Sequence, residues 1–416
     1  MTARSINHRL RGTFAACSLF LAGLTASYFI VSAWSKPRGL LPDERIEVPV
    51  VLSAPRRLEF ITDFQEDIDL KTLRSALLRL EPFSPKPMPS VVMATHALRL
   101  WGNTESFSEE AIMPAGFHFP VWRFSAPTLL EFLTNHEQYR KYFSDADPLL
   151  IPTDYGITVK PKVDNFLDQQ INRWPDCEAH VDKVISVFGE IGIPSSFPVL
   201  TEKRKGNVRN MLIDSSMRFT MSQEKEFSCK AFLFYYSLPA KWRGKSGQTT
   251  DLNEVLESMC EERTGSGCCI GTHVPQVIAL ALAIDKDKPF LGKSRSKLED
   301  YIRRICRLLE DTQLENGAWP SNWSNNGDHQ VMVAIEGEPA VQIRVTGHHL
   351  EWIAHTPSEF RPSKTCVTRS ILFLQNSLAK LEGDAFYHNY TALTHAARAL
   401  VLLSGRTAGE ILHGDY

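Results

Sequence analysis

The sequence predicts a mainly α-helical fold of two concentric rings, about six buried inner helices and about six amphipathic outer ones, over residues 58–405. Three observations predict it. Five segments start alike, with Thr, Gly or Ala, then histidine, then an apolar run at helical spacing. They are "ATHALRLWG" from Ala94, "EAHVDKVISVFG" from Glu178, "GTHVPQVIALALAID" from Gly271, "TGHHLEWIA" from Thr346 and "LTHAARALVLLSG" from Leu393. Amphipathic segments alternate with these and with a sixth apolar run, "CKAFLFYYSLP" from Cys229. The histidines stand 47 to 93 residues apart, too uneven for a linear solenoid and suited to a closed barrel with long loops.

Along the chain, residues 1–12 carry Arg4, Arg9 and Arg11 and no acid, and Thr13 to Trp34 is uncharged. Twenty-two helical residues rise about 33 Å, enough to cross a bilayer core. Arginines on the near side imply a cytoplasmic N-terminus and an extracytoplasmic main domain, a single-pass membrane protein. A cleaved signal peptide ending at Ala33 is the alternative, giving a secreted protein; the length of the apolar run favours the anchor. Residues 35–57 read as a linker of proline and mixed charge, and 406–416 as a C-terminal tail. "DPLLIPTDYGITVKPK", residues 147–162, reads as one β-hairpin inserted among the helices.

A composition of 43% hydrophobic and 23% charged residues is enough to bury a large core. With a net charge of −2 and no long basic stretch, nucleic acid is not an expected partner. The membrane is, through the N-terminal helix. Of eight cysteines, all but Cys17 lie beyond the apolar segment, an odd number scattered without CxxC spacing. Cys268 and Cys269 read as small buried residues rather than metal ligands.

In "SKLEDYIRRICRLLEDTQ", Leu298, Tyr301, Ile302, Ile305, Leu308 and Leu309 mark an amphipathic helix, which Gly317 is expected to end in the left-handed conformation. The end of this helix carries a distinctive spacing: Gln313, three residues, Gly317, one residue, Trp319. It resembles the QW motif of the squalene and oxidosqualene cyclases, α/α toroids related in fold to the β subunits of protein prenyltransferases. The resemblance implies an α/α toroid in which the Gln313 amide bonds a neighbouring outer helix and Trp319 packs on that amide. "AKLEGDAF" keeps Gly383 and Phe386 but has Ala379 at the glutamine position. Cyclase chemistry does not carry over. The aspartate motifs DxDD and DCTAE are missing, "EDID" at Glu66–Asp69 being nearest, and no prenyltransferase zinc trio can be placed. The chain also resembles membrane-anchored bacterial proteins with the same "GTH" and "TGHHLEW" helix starts, which implies no activity.

The chemistry therefore rests on the histidines. With Thr95, Thr272 and Thr394 as N-caps, each imidazole falls in a first helical turn, and parallel inner helices would gather His96, His180, His273, His348 and His395 at one barrel mouth. Positive helix ends there would lower imidazole pKa values. Glu351, one turn after His348, and Asp182, two residues after His180, are the carboxylates expected to join them. His273, His348, Glu351 and Asp182 are thus the candidate catalytic residues, with His96, His180, His349 and His395 as binding residues. A loop from Trp323 to His348, carrying Asp328, His329, Glu336 and Glu338, reads as a solvated hairpin leading to this mouth. Three functions fit. The first is an envelope enzyme acting on a polymer or lipid-linked substrate; the second is a non-catalytic binding or scaffold protein. The third is a metal-dependent toroid enzyme of the lanthionine-cyclase type, which "GCCIGTH" resembles only superficially. Cofactor, metal and ligand are unknown at this level.

Overall fold

The computed structural model describes residues 48–415 except 85–86, 88, 114–117, 119, 145–146, 161–179, 266–267, 325–329, 331–332, 335–336 and 384–388. Residues 1–47, with the expected cytoplasmic segment and membrane anchor, lie outside the described residues, as do Asp328, His329, Glu336 and Phe386. Among the described residues no helix is long and apolar enough to cross a membrane.

The chain is mainly helical. Its helices are α1 (Leu70–Arg79), α2 (Val91–Trp101), α3 (Ala126–Thr134), α4 (His136–Tyr142), α5 (Lys183–Glu190), α6 (Val208–Arg218) and α7 (Glu226–Tyr235). Then come α8 (Leu252–Glu261), α9 (His273–Asp287), α10 (Arg295–Thr312), α11 (Glu338–Ile353), α12 (Lys364–Lys380), α13 (Tyr390–Leu403) and α14 (Ala408–His413). Polar caps start many of them. The Asp69 carboxylate accepts from the first turn of α1, Ser90 from Met93 N–H at the start of α2, and Asn207 and Asn210 form a reciprocal box on α6.

Two kinds of helix alternate, as expected. Every residue of α7 is buried, whereas α10 buries only the stripe Leu298, Tyr301, Ile302, Ile305, Cys306 and Leu309. The apolar helices pack in a closed cycle: α2 on α5, α5 on α7, α7 on α9, α9 on α11, α11 on α13, and α13 back on α2. Amphipathic helices lie against neighbouring pairs of that cycle, α6 against α5 and α7, α8 against α7 and α9, α12 against α11 and α13.

Several boundaries differ from expectation. α2, α11 and α13 begin five to ten residues before their histidines, at Val91, Glu338 and Tyr390. Thr272 holds the N-cap position of α9, as expected, whereas Thr95 and Thr394 lie inside their helices. All three turn their hydroxyls back onto carbonyls three residues earlier, Thr95 onto Val92, Thr272 onto Cys269 and Thr394 onto Thr391. The second half of the expected loop before His348 is the first half of α11, because Pro339 suits a first helical turn and Val341 and Val345 continue its buried stripe. α10 ends at Thr312, and Gly317 takes φ +89° in the loop beyond.

The hairpin expected at 147–162 forms, with β4 (Leu150–Pro152) antiparallel to β5 (Ile157–Val159). It has company. β1 (Phe83–Ser84), β2 (Ala111–Ile112) and β3 (Val121–Arg123) make a three-stranded sheet, and β6 (Pro198–Leu200) pairs with β7 (Lys205–Asn207), as β8 (Lys241–Arg243) does with β9 (Thr249–Asp251). The compact unit runs from Glu47 to Tyr416, wider than 58–405. Arg56, in the expected linker, donates to the Leu233 and Tyr236 carbonyls at the end of α7, and Ile411 and Leu412 of α14 are buried.

The Gln313 amide nitrogen donates to the Cys366 carbonyl at 2.8 Å and to Ser370 Oγ at 2.9 Å, both on α12, tying α10 to α12. A Cβ on Gly317 would lie 2.2 Å from the Arg369 carbonyl oxygen, so only glycine lets the loop approach α12. Trp319, fully buried, donates its indole N–H to the Leu309 carbonyl in the last turn of α10 at 2.9 Å. Replacing Trp319 by Ala should cost roughly 3–5 kcal/mol in urea denaturation, as large aromatic truncations do. Unchanged stability with loss of ligand binding would mean that Trp319 is a binding residue instead.

Candidate functional site

A spacing of three and then four residues recurs on the inner helices, which puts the three positions on one face. It runs His96, Arg99 and Asn103 from α2; Phe227, Lys230 and Phe234 on α7; His273, Gln276 and Leu280 on α9; His348, Glu351 and His355 from α11; and His395, Arg398 and Leu402 on α13. The first positions build a row of rings, the second a polar layer, charged except at Gln276, and the third, with members of the second, wall a cavity.

The row is continuous. His96 meets His395 edge-on at 5.0 Å between centroids, His395 lies 3.6 Å from His348, and His348 meets His273 at 4.6 Å. Phe227 comes next at 4.7 Å from His273, with His180 stacked on Phe227 at 5.3 Å. Gly347 permits the closest of these contacts, since a Cβ there would stand 2.8 Å from the His395 main-chain carbon. His96, His348 and His395 sit within helices, and His273 begins α9; all four are buried in the interior, not at an open mouth, whereas His180 precedes α5 and is part exposed. Burial first, then neighbouring positive charge, holds His96 and His395 well below the ordinary histidine value, and burial lowers His348 to about 4. Desolvation, rather than helix ends, is the main cause.

Below the row, Glu351 accepts from His395 Nδ1 at 2.8 Å and from Arg99 Nη2 at 2.6 Å, and pairs with Arg398 Nη1 at 3.1 Å. Because an ionised carboxylate only accepts, that Nδ1 carries the proton. Glu190, at the end of α5, pairs with Arg99 at 2.9 Å, Lys230 at 2.5 Å and Arg398 at 2.5 Å. Burial opposes the charge on both carboxylates, but the surrounding cations outweigh it, holding Glu351 at about 2 and Glu190 lower still. Burial lowers Lys230 to about 8.

The cavity, about 450 Å³, is lined on its polar side by Arg56, Arg57, Lys230, Arg398, Glu190, Glu351 and His355. Four cations there face two carboxylates. Nε2 of His355 is buried without a hydrogen-bond partner among the described residues, and burial lowers this imidazole to about 4. Such an atom in a cavity wall is a candidate ligand contact.

Of the expected site residues, His96, His273, His348, His395 and Glu351 come together, with His180 at the end of the row beyond Phe227. Asp182 does not join them. It takes φ +60° before α5 and accepts from Ser215 and Ser228 Oγ at 2.5 Å, sealing α5 to α6 and α7. His349 faces the other way, among Trp319, Trp323 and Trp352, and accepts from the Trp352 indole at 3.1 Å. Glu338 accepts from Ser321 at the start of α11, away from the row. The sequence reading missed Arg99, Glu190, Lys230, Gln276, His355 and Arg398. Counting three and seven residues on from each histidine would have found most of them.

Comparison of the chain with family models, with curated proteins and with solved structures found no match. Roles for these residues therefore rest on geometry.

Neutral buried imidazoles have a stability signature. His348 and His355 have folded values near 4 against 6.5 for the ordinary group, so between these pH values the unfolded chain binds protons that the folded chain excludes. Their contribution is intact above about pH 6.5 and lost as pH falls towards 4. Thermal melting from pH 7 to 4 should show Tm dropping in this window, less steeply in His355→Gln. A Tm flat to pH 4 would contradict the assignment.

Proposed function

We propose that this chain is an α/α-toroid enzyme of the cell envelope, anchored by residues 13–34 with its main domain outside the cytoplasm. It acts on an anionic group of a polymer or lipid-linked substrate in the cavity. The closed cycle of apolar helices, the outer helices laid between them and the Gln313–α12 tie support the toroid and its resemblance to the cyclase fold. One observation carries the functional reading: His355, whose buried Nε2 has no hydrogen-bond partner among the described residues, lines a cavity where cations outnumber carboxylates. A neutral imidazole can take or give a proton there, while Lys230, Arg398 and Arg57 hold the anionic group and Leu58, Phe60 and Leu280 hold apolar parts of the substrate. Glu351, itself in the cavity wall, pairs with Arg99 and Arg398, and His395 bonds Glu351 from the ring row.

A non-catalytic binding protein is the second reading. It is favoured by the saturation of Glu190 and Glu351, each bound by cations and so poor as a base.

The test has two arms. Calorimetric titration of the full-length chain with inorganic pyrophosphate should show binding, at least tenfold weaker in Arg57→Glu; no binding by the unaltered chain would end both readings. Incubation with a bacterial envelope polymer and lipid fraction should change the mass profile of an anionic component, and His355→Gln should not. Pyrophosphate binding with an unchanged profile selects the binding protein. As to place, the chain should stay with membranes through a high-salt wash and keep its N-terminus; a soluble form starting near Trp34 would point to a cleaved signal peptide.

A further inference from the structure

The segment before α9 is bent in an unusual way. Cys269, Ile270 and Gly271 take φ of +49°, +59° and +69° in succession, a left-handed run that includes a β-branched residue. At Cys269 and Ile270, which unlike Gly271 carry a Cβ, such conformations cost on the order of 1–3 kcal/mol each and persist only where surroundings impose them. Here the Trp323 indole donates to the Ile270 carbonyl at 3.2 Å and the Thr272 hydroxyl to the Cys269 carbonyl at 2.9 Å. The turn brings the Cys269 sulfur to His273, first residue of α9, and to His348 of α11, with one ligand atom from each within 4.8 Å of the others. His348 is 1% exposed, and neither of its ring nitrogens has a hydrogen-bond partner of ordinary geometry among the described residues.

We propose that Cys269, His273 and His348 form a centre for a zinc-class metal ion. One thiolate and two neutral imidazoles are a donor set for a borderline-soft, tetrahedral ion, and three protein ligands leave a fourth position for water or substrate. Zinc at 2.0–2.3 Å from each donor would separate them by about 3.3–3.7 Å, so no pair of donors needs to close in by more than about 1.5 Å, within reach of rotamer adjustment. The tautomer is set in advance. Gln276 Oε1 lies 3.4 Å from Lys230 Nζ, which can only donate, and 2.9 Å from His273 Nδ1. His273 therefore donates through Nδ1, and its Nε2 keeps the lone pair that a metal needs. The second histidine–carboxylate group, His348 with Glu351 and His395, suits a cation poorly, because Arg99 and Arg398 already sit 2.6 and 3.1 Å from Glu351 Oε2. The centre lies in the ring layer, distinct from the polar cavity wall, and does not depend on what the cavity binds.

The test uses the full-length chain purified without chelator. Elemental analysis should find about one zinc per chain, and cobalt replacement should give a thiolate-to-cobalt charge-transfer band. Cys269→Ser should abolish that band, and His348→Gln should weaken zinc binding at least tenfold, with circular dichroism showing both variants folded. If a variant does not fold, zinc protection of Cys269 from alkylation in the unaltered chain, read by peptide mass, decides. No stoichiometric metal before or after zinc addition, a band that survives in Cys269→Ser, or equal alkylation with and without zinc would each overturn the proposal.

Discussion

Two carboxylates buried among helices, Glu190 and Glu351, constrain everything around them. Removing an ion from water costs several kcal/mol even after relaxation, and only close, well-oriented counter-charges offset it. Arg99, Lys230 and Arg398 supply them, each from a different helix: α2, α7 and α13. Since the carboxylates come from α5 and α11, the network stays neutralised only while five of the six inner helices keep their mutual register. Losing one partner would strand a buried charge, at a cost of about 3–5 kcal/mol. The inner cycle is therefore held by electrostatics as well as by apolar packing.

The imidazole row rests on that layer. Glu351 fixes the His395 tautomer, and the cations that pair with the carboxylates also disfavour protonation of the rings above them. Close ring contacts are possible because neutral imidazoles can stack where charged ones would repel, and because Gly347 lets α11 approach α13. Neutral rings with available lone pairs are suited to proton transfer and metal binding. On the far side of the charged layer, His355 is the imidazole that meets the cavity.

The outer helices hold this interior in place by different means. Gln313, Gly317 and Trp319 tie α10 to α12 through main-chain carbonyls, a device independent of the polar interior. Around it Trp319, Trp323 and Trp352 enclose His349, which explains why adjacent histidines on α11 have unlike surroundings: His348 and His349 lie about 100° apart around the helix.

The alternation of apolar and amphipathic helices was legible in the sequence because burial is written in helical periodicity, and so were the convergence of His96, His273, His348 and His395 and the joining role of Gln313. Helix starts were not. Thr95 and Thr394 have the composition of caps, but their hydroxyls bond within helices already begun at Val91 and Tyr390, and periodicity does not mark where an apolar helix enters the core. Asp182 and His349 carried the right chemistry in the wrong direction, since a backbone turn in one case and a helix face in the other decide where a side chain points. Glu190 and Lys230 look like ordinary surface residues in one dimension, and the spacing that marks Arg398, three residues after His395, does not say that it is buried. Only the meeting of separate helices, which takes water away from them, turns them into a paired, buried network, and desolvation is a property of the assembled core that no local pattern encodes.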